Sequence, residues 1–339
     1  MTDTRVLFVP VSGSAGSGEV QRCRLLAEAL QRRWPRAAPH FLLADGTAGV
    51  GFETTLLSAS PTRVPQEVAD AIGRLRPALV VFDGNTRVAT LAAARRAGAR
   101  TVLVSSRPSA RDRGFRWRRM ARLDAHWLVG AELRGAPGWR ERIARWRFPQ
   151  VQGRRYATVF ASPEPAAPLL QELGLATDQP FAVVCAGGGG HAGAAAVFGQ
   201  AATELARSGL ATIAVGMHAD APAISIPELP NARLMGLLAG ARVALLAGGS
   251  LLVQALSVGA PTLAVPLQDE QAARVRWLAD SGAVRIAADR SAQSLAGSLR
   301  ALSDDQQGRT RLQQACRALA LDNGLDAMTR ALAQFAGLD

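Results

Sequence analysis

Short apolar runs alternate with helix-like patterns along the first half of the chain. The N-terminal run RVLFVPV leads through a glycine-rich stretch into EVQRCRLLAEALQRRW, where apolar residues keep helical spacing: Val20, Cys23, Leu26, Ala27 and Leu30. A strand followed by a helix, repeated many times, is typical of an open, doubly wound α/β sheet. The predicted strands of this half are 5–11, 40–44, 78–84, 100–106 and 125–130.

A second series of the same kind begins with FAVVCAGGGG at residue 181 and predicts further strands at 210–217, 241–249, 260–267 and 283–287. The tail between Asp304 and Phe335 predicts two helices, and three prolines within 163–168 indicate a linker. The chain therefore predicts two Rossmann-like domains. We expect them to span 1–155 and 156–325, with a C-terminal helix in 326–339 that packs back on the first domain.

Charge divides the two halves. All basic residues are arginine, and residues 1–155 hold 27 Arg against 12 acidic residues, whereas residues 156–339 hold 12 Arg against 15. A basic half beside a nearly neutral one indicates a surface that meets anions, such as lipid headgroups, phosphate or nucleic acid. No recognised nucleic-acid module accompanies the charge, so we predict no nucleic-acid partner.

The three cysteines are far apart and show no CxxC pair, which indicates neither a disulfide framework nor a zinc site and fits a reducing cytosol. The N-terminus lacks a basic segment followed by a long apolar one, so no signal peptide is predicted. The uncharged run 243–268 is long enough to span a bilayer. Its Gly248-Gly249, Gly259 and Pro261 stand where strand–helix turns would fall, which favours a buried parallel sheet. We expect a cytoplasmic protein.

The glycine-rich stretch SGSAGSGEVQRC, residues 12–23, is close to a phosphate-binding P-loop without being one. Gly13 and Gly18 bracket four residues, but Glu19 and Val20 stand where that loop needs Lys and Ser or Thr. The dinucleotide pattern G-x-G-x-x-G is also absent. Hydrolysis of ATP or GTP is therefore disfavoured. A tight turn at a helix N-terminus remains, where free N–H groups favour anions.

Residues 230–284 carry a more specific pattern. A Gly-Gly-Ser turn follows an apolar strand, and G-x-P, a second apolar strand and D-x-Q come after it; the matching residues are Gly248, Gly249, Ser250, Gln254, Gly259, Pro261, Asp269 and Gln271. This segment resembles the donor-binding half of GT-B glycosyltransferases. It is most similar to the lipid-linked UDP-GlcNAc transferase of peptidoglycan synthesis, and it also resembles the UDP-sugar hydrolase of pseudaminic acid biosynthesis.

The N-terminal loop resembles the same two families, in which it reads Gly-x-Gly-His-Val/Ile. Gly16, Gly18, Val20 and Arg22 fit that pattern, and GRRYATVFASPE at 153–164 is similar to the segment that joins the two halves of the hydrolase. The resemblance implies a GT-B fold, with two Rossmann-like parallel-sheet domains facing across a cleft. It implies transfer of a sugar from an NDP-sugar, with UDP as the favoured nucleotide, and needs neither a metal nor another cofactor. A lipid-linked acceptor is one option.

The resemblance also implies a site. Glu19 is the candidate catalytic base, since a carboxylate can take a proton from an acceptor hydroxyl. The acceptor-side loop contains Gly16, Ser17, Gly18 and Arg22. The donor pyrophosphate would lie on main-chain N–H groups of glycine turns. The donor-binding candidates are Gly187, Gly188, Gly189, Gly190, His191, Met235, Gly248, Gly249, Ser250, Gln254, Asp269 and Gln271.

Three departures from the family pattern leave alternatives open. Glu19 replaces a histidine, Gln254 replaces a glutamate that holds the donor ribose, and Arg274 replaces an asparagine. Glu19 can equally be a helix cap with no catalytic part. The alternatives to transfer are hydrolysis of the NDP-sugar, or a binding or scaffold protein that keeps the fold without catalysis.

The stretch 107–155 holds 14 Arg, 4 acidic residues and four Trp. Within GWRERIARWRF, helical spacing places Trp139, Ile143 and Trp146 on one face, with arginines elsewhere. A basic helix of this kind suits peripheral contact with anionic lipid on the inner face of a membrane. The alternative is a helix docked on the sheet, with solvated arginines.

Overall fold

The structure is a computed structural model and describes residues 3–11, 18–47, 49–188 and 192–338. The chain divides into two compact units. Unit 1 contains residues 1–159 and 323–339, and unit 2 contains residues 160–322.

The described part of unit 1 forms a seven-stranded sheet in the order β3-β2-β1-β4-β5-β6-β7, and its strand pairs are all parallel. The inner strands are buried on both faces, as expected for a sheet covered by helices. The strands are β1 Thr4–Pro10, β2 Ala37–Ala44, β3 Glu53–Leu57, β4 Leu79–Asp83, β5 Arg100–Ser105, β6 Ala125–Val129 and β7 Gln152–Tyr156.

Helices connect these strands and bury one face each against the sheet. In α1 the predicted apolar face is confirmed, because Val20, Cys23, Leu26, Ala27 and Leu30 are all buried. The helices of unit 1 are α1 Gly18–Arg33, α2 Pro65–Leu75, α3 Val88–Arg96, α4 Pro108–Gly114, α5 Trp117–Met120 and α6 Trp139–Arg147, together with the C-terminal α14 Leu325–Ala336. A 3-10 turn, Ala131–Arg134, follows β6.

The C-terminal helix α14 lies in unit 1, where it packs against α1. Its Phe335 ring lies 6.4 Å from the ring of Trp127 in β6, and Asp326 accepts a hydrogen bond from Arg33 at the end of α1. A parallel bridge between Thr158 and Asn323 joins this segment to the residues that follow β7. The last helix thus completes the packing of the N-terminal sheet.

The described part of unit 2 forms a six-stranded parallel sheet in the order β10-β9-β8-β11-β12-β13. Its strands are β8 Phe181–Cys185, β9 Ala211–Val215, β10 Ile224–Ile226, β11 Val243–Ala247, β12 Thr262–Val265 and β13 Arg285–Ile286. Its helices are α7 Ala166–Glu172, α8 Ala192–Arg207, α9 Asn231–Gly240, α10 Ser250–Ser257, α11 Asp269–Asp280, α12 Ala292–Asp304 and α13 Gln306–Leu319.

The predicted fold class is confirmed, because both units are Rossmann-like parallel sheets. The sequence did not predict β3, β7 or β10. Strand β7 falls at the start of the predicted linker, where Gly153, Arg154 and Arg155 hide the apolar pattern of a buried strand. It lies at the edge of the sheet, where it pairs with β6 and its Gln152 accepts a hydrogen bond from the indole of Trp127.

Candidate functional site

The chain reverses direction in unit 1 between β1 and β4. It first adds β2 and β3 on one side of β1 and then adds β4 to β7 on the other. In such sheets ligands bind beyond the carboxyl ends of the strands at this switch point. Helix α1 begins there, and Gly84 follows β4 with a φ of +98°. A Cβ on Gly84 would lie 3.5 Å from the side chain of Glu19, so the turn and the helix start are in close contact.

A buried ion pair fixes α1 to the end of β4. The guanidinium of Arg22 binds the carboxylate of Asp83 with both ends of its fork, Nε to Oδ2 at 2.7 Å and Nη2 to Oδ1 at 2.5 Å. Only 5% of the Arg22 side chain and none of the Asp83 side chain is exposed. Arg22 also donates to Ser106 at 3.3 Å, and the Cys23 thiol lies 3.7 Å from Asp83. The predicted acceptor-side residue Arg22 is therefore engaged within the protein.

Burial dominates the titration of this pair. It raises the pKa of Asp83 to about 6, although the neighbouring Arg22 guanidinium opposes the rise. Burial lowers the pKa of Arg22, but Asp83 outweighs that effect and the net change is a rise. Burial followed by the charge of Asp83 raises the pKa of the Cys23 thiol well above its usual range. At neutral pH the cluster therefore contains an arginine–carboxylate pair beside a neutral thiol.

Glu19 belongs to the same cluster. It lies in the first turn of α1, its side chain is buried, and its Oε1 is 3.3 Å from Nε of Arg107. A carboxylate at this place is suited to an ion pair with a cation or to proton transfer. The guanidinium of Arg107 is already such a cation. Gly18 begins α1 and is half-buried. Gly16 and Ser17 lie outside the described residues.

Sequence reasoning missed three members of this cluster, namely Asp83, Ser106 and Arg107. Asp83 is the last residue of the apolar strand LVVFD and precedes a glycine. Ser106 and Arg107 follow β5, the next strand in the sheet. An acidic or polar residue directly after a buried parallel strand was the available signal, since neighbouring strands bring such residues to one edge.

Unit 2 has its own switch point, between β8 and β11. Pairing of Cys185 with Leu246 brings the carboxyl ends of the two strands side by side. Gly187 and Gly188 follow β8, and Gly187 has a φ of +88°, which favours glycine. Gly248 and Gly249 follow β11. Two predicted donor-binding turns therefore lie next to each other, while the predicted Gly189, Gly190 and His191 lie outside the described residues.

Helix α11 packs directly over the turn at Gly248. A Cβ on Gly248 would lie 2.7 Å from Cγ2 of Val275 and 3.0 Å from Cβ of Gln271, so this position requires glycine. Gln271 accepts a hydrogen bond from the main-chain N–H of Leu267 at 2.9 Å, and Arg274 donates to the Gly248 carbonyl at 3.3 Å. The amide oxygen of Gln271 thus supports the turn.

The remaining donor-side candidates differ in their exposure. Ser250 and Asp269 are exposed at the first residues of α10 and α11, with side chains open to a ligand. Gln254 is half-buried and accepts a hydrogen bond from Asn231 at 3.2 Å. Met235 is fully buried in α9, which leaves only its main chain for a ligand. The part of Met235 in donor binding stays a prediction.

The arginine- and tryptophan-rich segment presents its apolar face outward. Trp139, Ile143 and Trp146 of α6 are 62%, 42% and 80% exposed. The helix packs on unit 1 through its opposite side, where Ala144 joins the core and the buried Glu141 binds Arg145 and Arg155. The predicted common face of the three residues is confirmed. The helix is nevertheless docked on unit 1, because Ala144 and Glu141 form the contact on its other side.

A cavity of about 380 Å³ opens beside the end of β6. Its apolar wall includes Phe115, Leu128 and Trp139, and its polar wall includes Arg111 and Glu132, which form an ion pair at 2.8 Å. The cavity is large enough for a small ligand that is apolar on one side and polar on the other. No sequence pattern indicated it, because its walls come from five separate elements.

The histidine, cysteine, aspartate and glutamate side chains of the described residues form no group of three or more that could hold a metal ion. Among the helices built from these residues, none combines the length and the apolar character needed to cross a membrane.

Comparison with solved structures identifies the fold. The chain is similar to the spinosyn forosaminyltransferase SpnP, with 16% identity, 99% of this chain and 100% of that chain covered, and a TM-score of 0.66. It is similar to MurG from Acinetobacter baumannii, with 15% identity, coverage of 98% and 99%, and a TM-score of 0.56. It is also similar to a UDP-N-acetylglucosamine 2-epimerase, with 13% identity, coverage of 100% and 98%, and a TM-score of 0.57.

No protein-family model matches the chain, and no curated protein matches it in sequence. The likeness to the solved structures extends over nearly the whole length of each chain, at sequence identities that show the fold alone. The resemblance to GT-B glycosyltransferases, MurG among them, is therefore confirmed as a likeness of fold. The chain has the GT-B fold.

We predict that Asp83→Asn destabilises unit 1 by about 3–5 kcal/mol, because it leaves the Arg22 charge buried without a counter-charge. Urea unfolding at neutral pH measures this loss. The matched control is Asp326→Asn, which breaks an exposed pair with Arg33 at 3.1 Å. It should cost less than about 1 kcal/mol. Equal losses in the two variants would show that the buried pair has no special part in holding α1.

Proposed function

We propose that the protein is a glycosyltransferase that moves a sugar from a UDP-sugar to an acceptor hydroxyl. One observation carries the proposal, namely the pair of glycine turns at the switch point of unit 2. Gly187 and Gly188 follow β8, and Gly248 and Gly249 follow β11, its neighbour in the sheet. Glycine turns at helix starts offer main-chain N–H groups to a pyrophosphate. The exposed Ser250, at the first residue of α10, adds a hydroxyl to the same place.

The contacts that hold the Gly248 turn in place support its proposed part in binding the pyrophosphate. Val275 and Gln271 press against Gly248, and Arg274 binds its carbonyl oxygen, so the turn is held in a fixed direction. The N–H of Gly248 donates to the Val265 carbonyl at 3.1 Å, which leaves the first N–H groups of α10 as the donors for phosphate. Fixed donors stabilise charge that develops on a leaving phosphate at no cost in reorganisation during the reaction. The exposed Asp269 and the half-buried Gln254 are placed to accept or donate hydrogen bonds to sugar or ribose hydroxyls.

The names of similar proteins support the same substrate class. A forosaminyltransferase is a sugar transferase by name, and the epimerase is named for a UDP-sugar. The chain is covered almost completely in both comparisons. We extend the UDP-sugar to this chain as part of the proposal. The acceptor would be activated by Glu19, whose carboxylate lies at the switch point of unit 1.

The ion pair between Glu19 and Arg107 supports the two alternatives to transfer, which are hydrolysis of the UDP-sugar and binding without turnover. A buried carboxylate that already faces a guanidinium at 3.3 Å must part from it to accept a proton. If Glu19 keeps that partner, the protein would hydrolyse its UDP-sugar with water or bind it without turnover. The function test is therefore designed to separate transfer, hydrolysis and binding.

We predict that UDP is released from a UDP-sugar only in the presence of an acceptor, and that Glu19→Gln lowers this rate by about 100-fold or more, in keeping with the usual contribution of a general base. Release of UDP is followed over a panel of UDP-sugars, with and without an acceptor mixture. Glu28→Gln on the same helix is the matched control, since the side chain of Glu28 is 41% exposed and pairs with Arg24 along the helix.

Each possible result of this experiment indicates a different function. Release without acceptor indicates hydrolysis, binding of the UDP-sugar without release indicates a binding protein, and neither binding nor release overturns the proposal. A Glu19→Gln rate close to that of Glu28→Gln would remove Glu19 from the mechanism while leaving the donor site intact.

We also propose that unit 1 meets an anionic membrane surface through α6. Trp139, Ile143 and Trp146 form an exposed apolar face, and Trp117, 60% exposed, lies across a groove of about 300 Å³ lined by Trp139 and Ile143. Arg140 stacks on the ring of Trp139, with 5.2 Å between its guanidinium carbon and the ring centroid. Tryptophans with adjacent arginines are suited to the lipid headgroup region, where the rings insert and the guanidiniums meet phosphate.

We predict that the protein sediments with vesicles that contain phosphatidylglycerol but not with vesicles of phosphatidylcholine alone. The double variant Trp139→Ser/Trp146→Ser should lose most of this binding, because it removes the two most exposed rings of the face. Leu56→Ser is the matched control, since Leu56 is equally an exposed apolar residue of unit 1 but lies on β3. Sedimentation that does not depend on lipid charge, or equal loss in both variants, would contradict the proposal.

A further inference from the structure

Four arginines lie together near the carboxyl edge of the sheet in unit 1, outside the site described above. Arg113, Arg116 and Arg119 follow one another at intervals of three residues through α4 and α5, with main-chain hydrogen bonds from Arg116 to Arg113 and from Arg119 to Arg116. Arg87 comes from the turn after β4. We call these four residues the arginine cluster.

Arg119 is the buried centre of the arginine cluster. Only 7% of its surface is exposed, and its Nη1 donates to Oδ1 of Asn85 at 2.9 Å. The same oxygen accepts the main-chain N–H of Thr86 at 3.0 Å, which fixes the Asn85 side chain. The guanidinium of Arg119 is thus held in place by a neutral amide. Burying a charge without a counter-charge is costly, so such an arrangement calls for a partner.

The cluster combines a buried arginine with an absence of ion pairs among the described residues. In the same stretch of sequence, the arginines outside the cluster include several with carboxylates: Arg107 with Glu19, Arg111 with Glu132, Arg140 with Asp112, and both Arg145 and Arg155 with Glu141. Among the described residues, no carboxylate forms an ion pair with any of the four arginines of the cluster. Arg87 donates to the main-chain oxygen of Thr62, and Arg113 donates to Ser109.

The charges of the cluster act on its centre. Burial lowers the pKa of Arg119, and the guanidiniums of Arg116, Arg113 and Arg87 lower it further. All three neighbours therefore reach Arg119 through their positive fields. An anion placed among them would be attracted by four guanidiniums at once, and it would remove the repulsion that they exert on one another.

We propose that the arginine cluster is a binding site for a phosphate or pyrophosphate group. The planar fork of arginine matches the oxygens of phosphate, and hydrogen bonds between two charged groups are the strong ones. Two or more guanidiniums match a doubly charged phosphate group better than they match a carboxylate. The exposed Arg87 and Arg116 leave the cluster open to solvent on one side, so that the anion can enter, while Arg119 forms its floor.

The inference goes beyond the proposed function and does not depend on it. It concerns an anion in unit 1, whereas the proposed donor site lies on the glycine turns of unit 2. The phosphate can belong to a small soluble molecule or to the headgroup of a lipid, and Arg116 also lines the groove beside Trp117 and Trp139. The experiment therefore uses one probe for each source.

The first probe is inorganic pyrophosphate, titrated calorimetrically into the full chain at low salt. Uptake by the turns of unit 2 is common to the wild type and the variants, so the difference between them reports on the cluster. We expect binding that Arg116→Gln and Arg119→Met each weaken at least about tenfold, as loss of a charge-assisted contact requires. Arg118→Gln is the matched control, because Arg118 is exposed, lies between them and has the same charge. It should bind as the wild type does.

The second probe is a vesicle of phosphatidylcholine with phosphatidylglycerol, used with the same three variants. Loss of vesicle binding in Arg116→Gln and Arg119→Met, with retention in Arg118→Gln, would assign the site to a lipid headgroup. Arg116 is exposed, so Arg116→Gln keeps the test valid if Arg119→Met fails to fold. The inference is overturned if neither probe binds, or if the cluster variants bind both probes as well as Arg118→Gln does.

Discussion

The Arg22–Asp83 ion pair is the interaction on which the arrangement of unit 1 depends. Helix α1 must begin beside the end of β4 for the switch point to exist, and the two elements are 61 residues apart in sequence. The pair connects them with two hydrogen bonds in a buried environment, while Cys23 and Ser106 complete the contacts. The position of Glu19, one turn before Arg22, follows from this attachment.

Unit 2 fixes its switch point by close packing. Small residues allow this packing. Gly248 is pressed by Val275 and Gln271, and Arg274 reaches the Gly248 carbonyl from the same helix. One unit therefore presents side-chain charge at its switch point, and the other presents main-chain N–H groups. This difference suits the proposed division between proton transfer and pyrophosphate binding.

Local pattern was enough to predict most of the elements but not the contacts between them. The spacing of Val20, Cys23 and Leu26 identified the buried face of α1, because periodicity depends only on neighbours in sequence. Asp83 could not be paired with Arg22 in the same way, since nothing local records which strand a helix will lie beside. The glycine turns of unit 2 were recognisable because glycine has few other uses after a buried strand, whereas their contact with α11 required the tertiary structure.

For the segment around α6 too, the sequence predicted a shared helix face but not the contacts that orient it. Helical spacing placed Trp139, Ile143 and Trp146 together, but the direction of that face was decided by Ala144 and by the ion pairs of Glu141. The arginine cluster was hidden among the 14 arginines of 107–155, because only the structure shows which arginines have carboxylate partners.

The central claim is that the glycine turns of unit 2 hold the nucleotide diphosphate. Amide hydrogen exchange of the full chain, with and without UDP, tests it most directly. The account predicts slower exchange at residues 186–188, 248–254 and 267–274, with the strands of unit 1 unchanged. Slowing confined to unit 1, or no slowing at a UDP concentration that saturates binding, would contradict it.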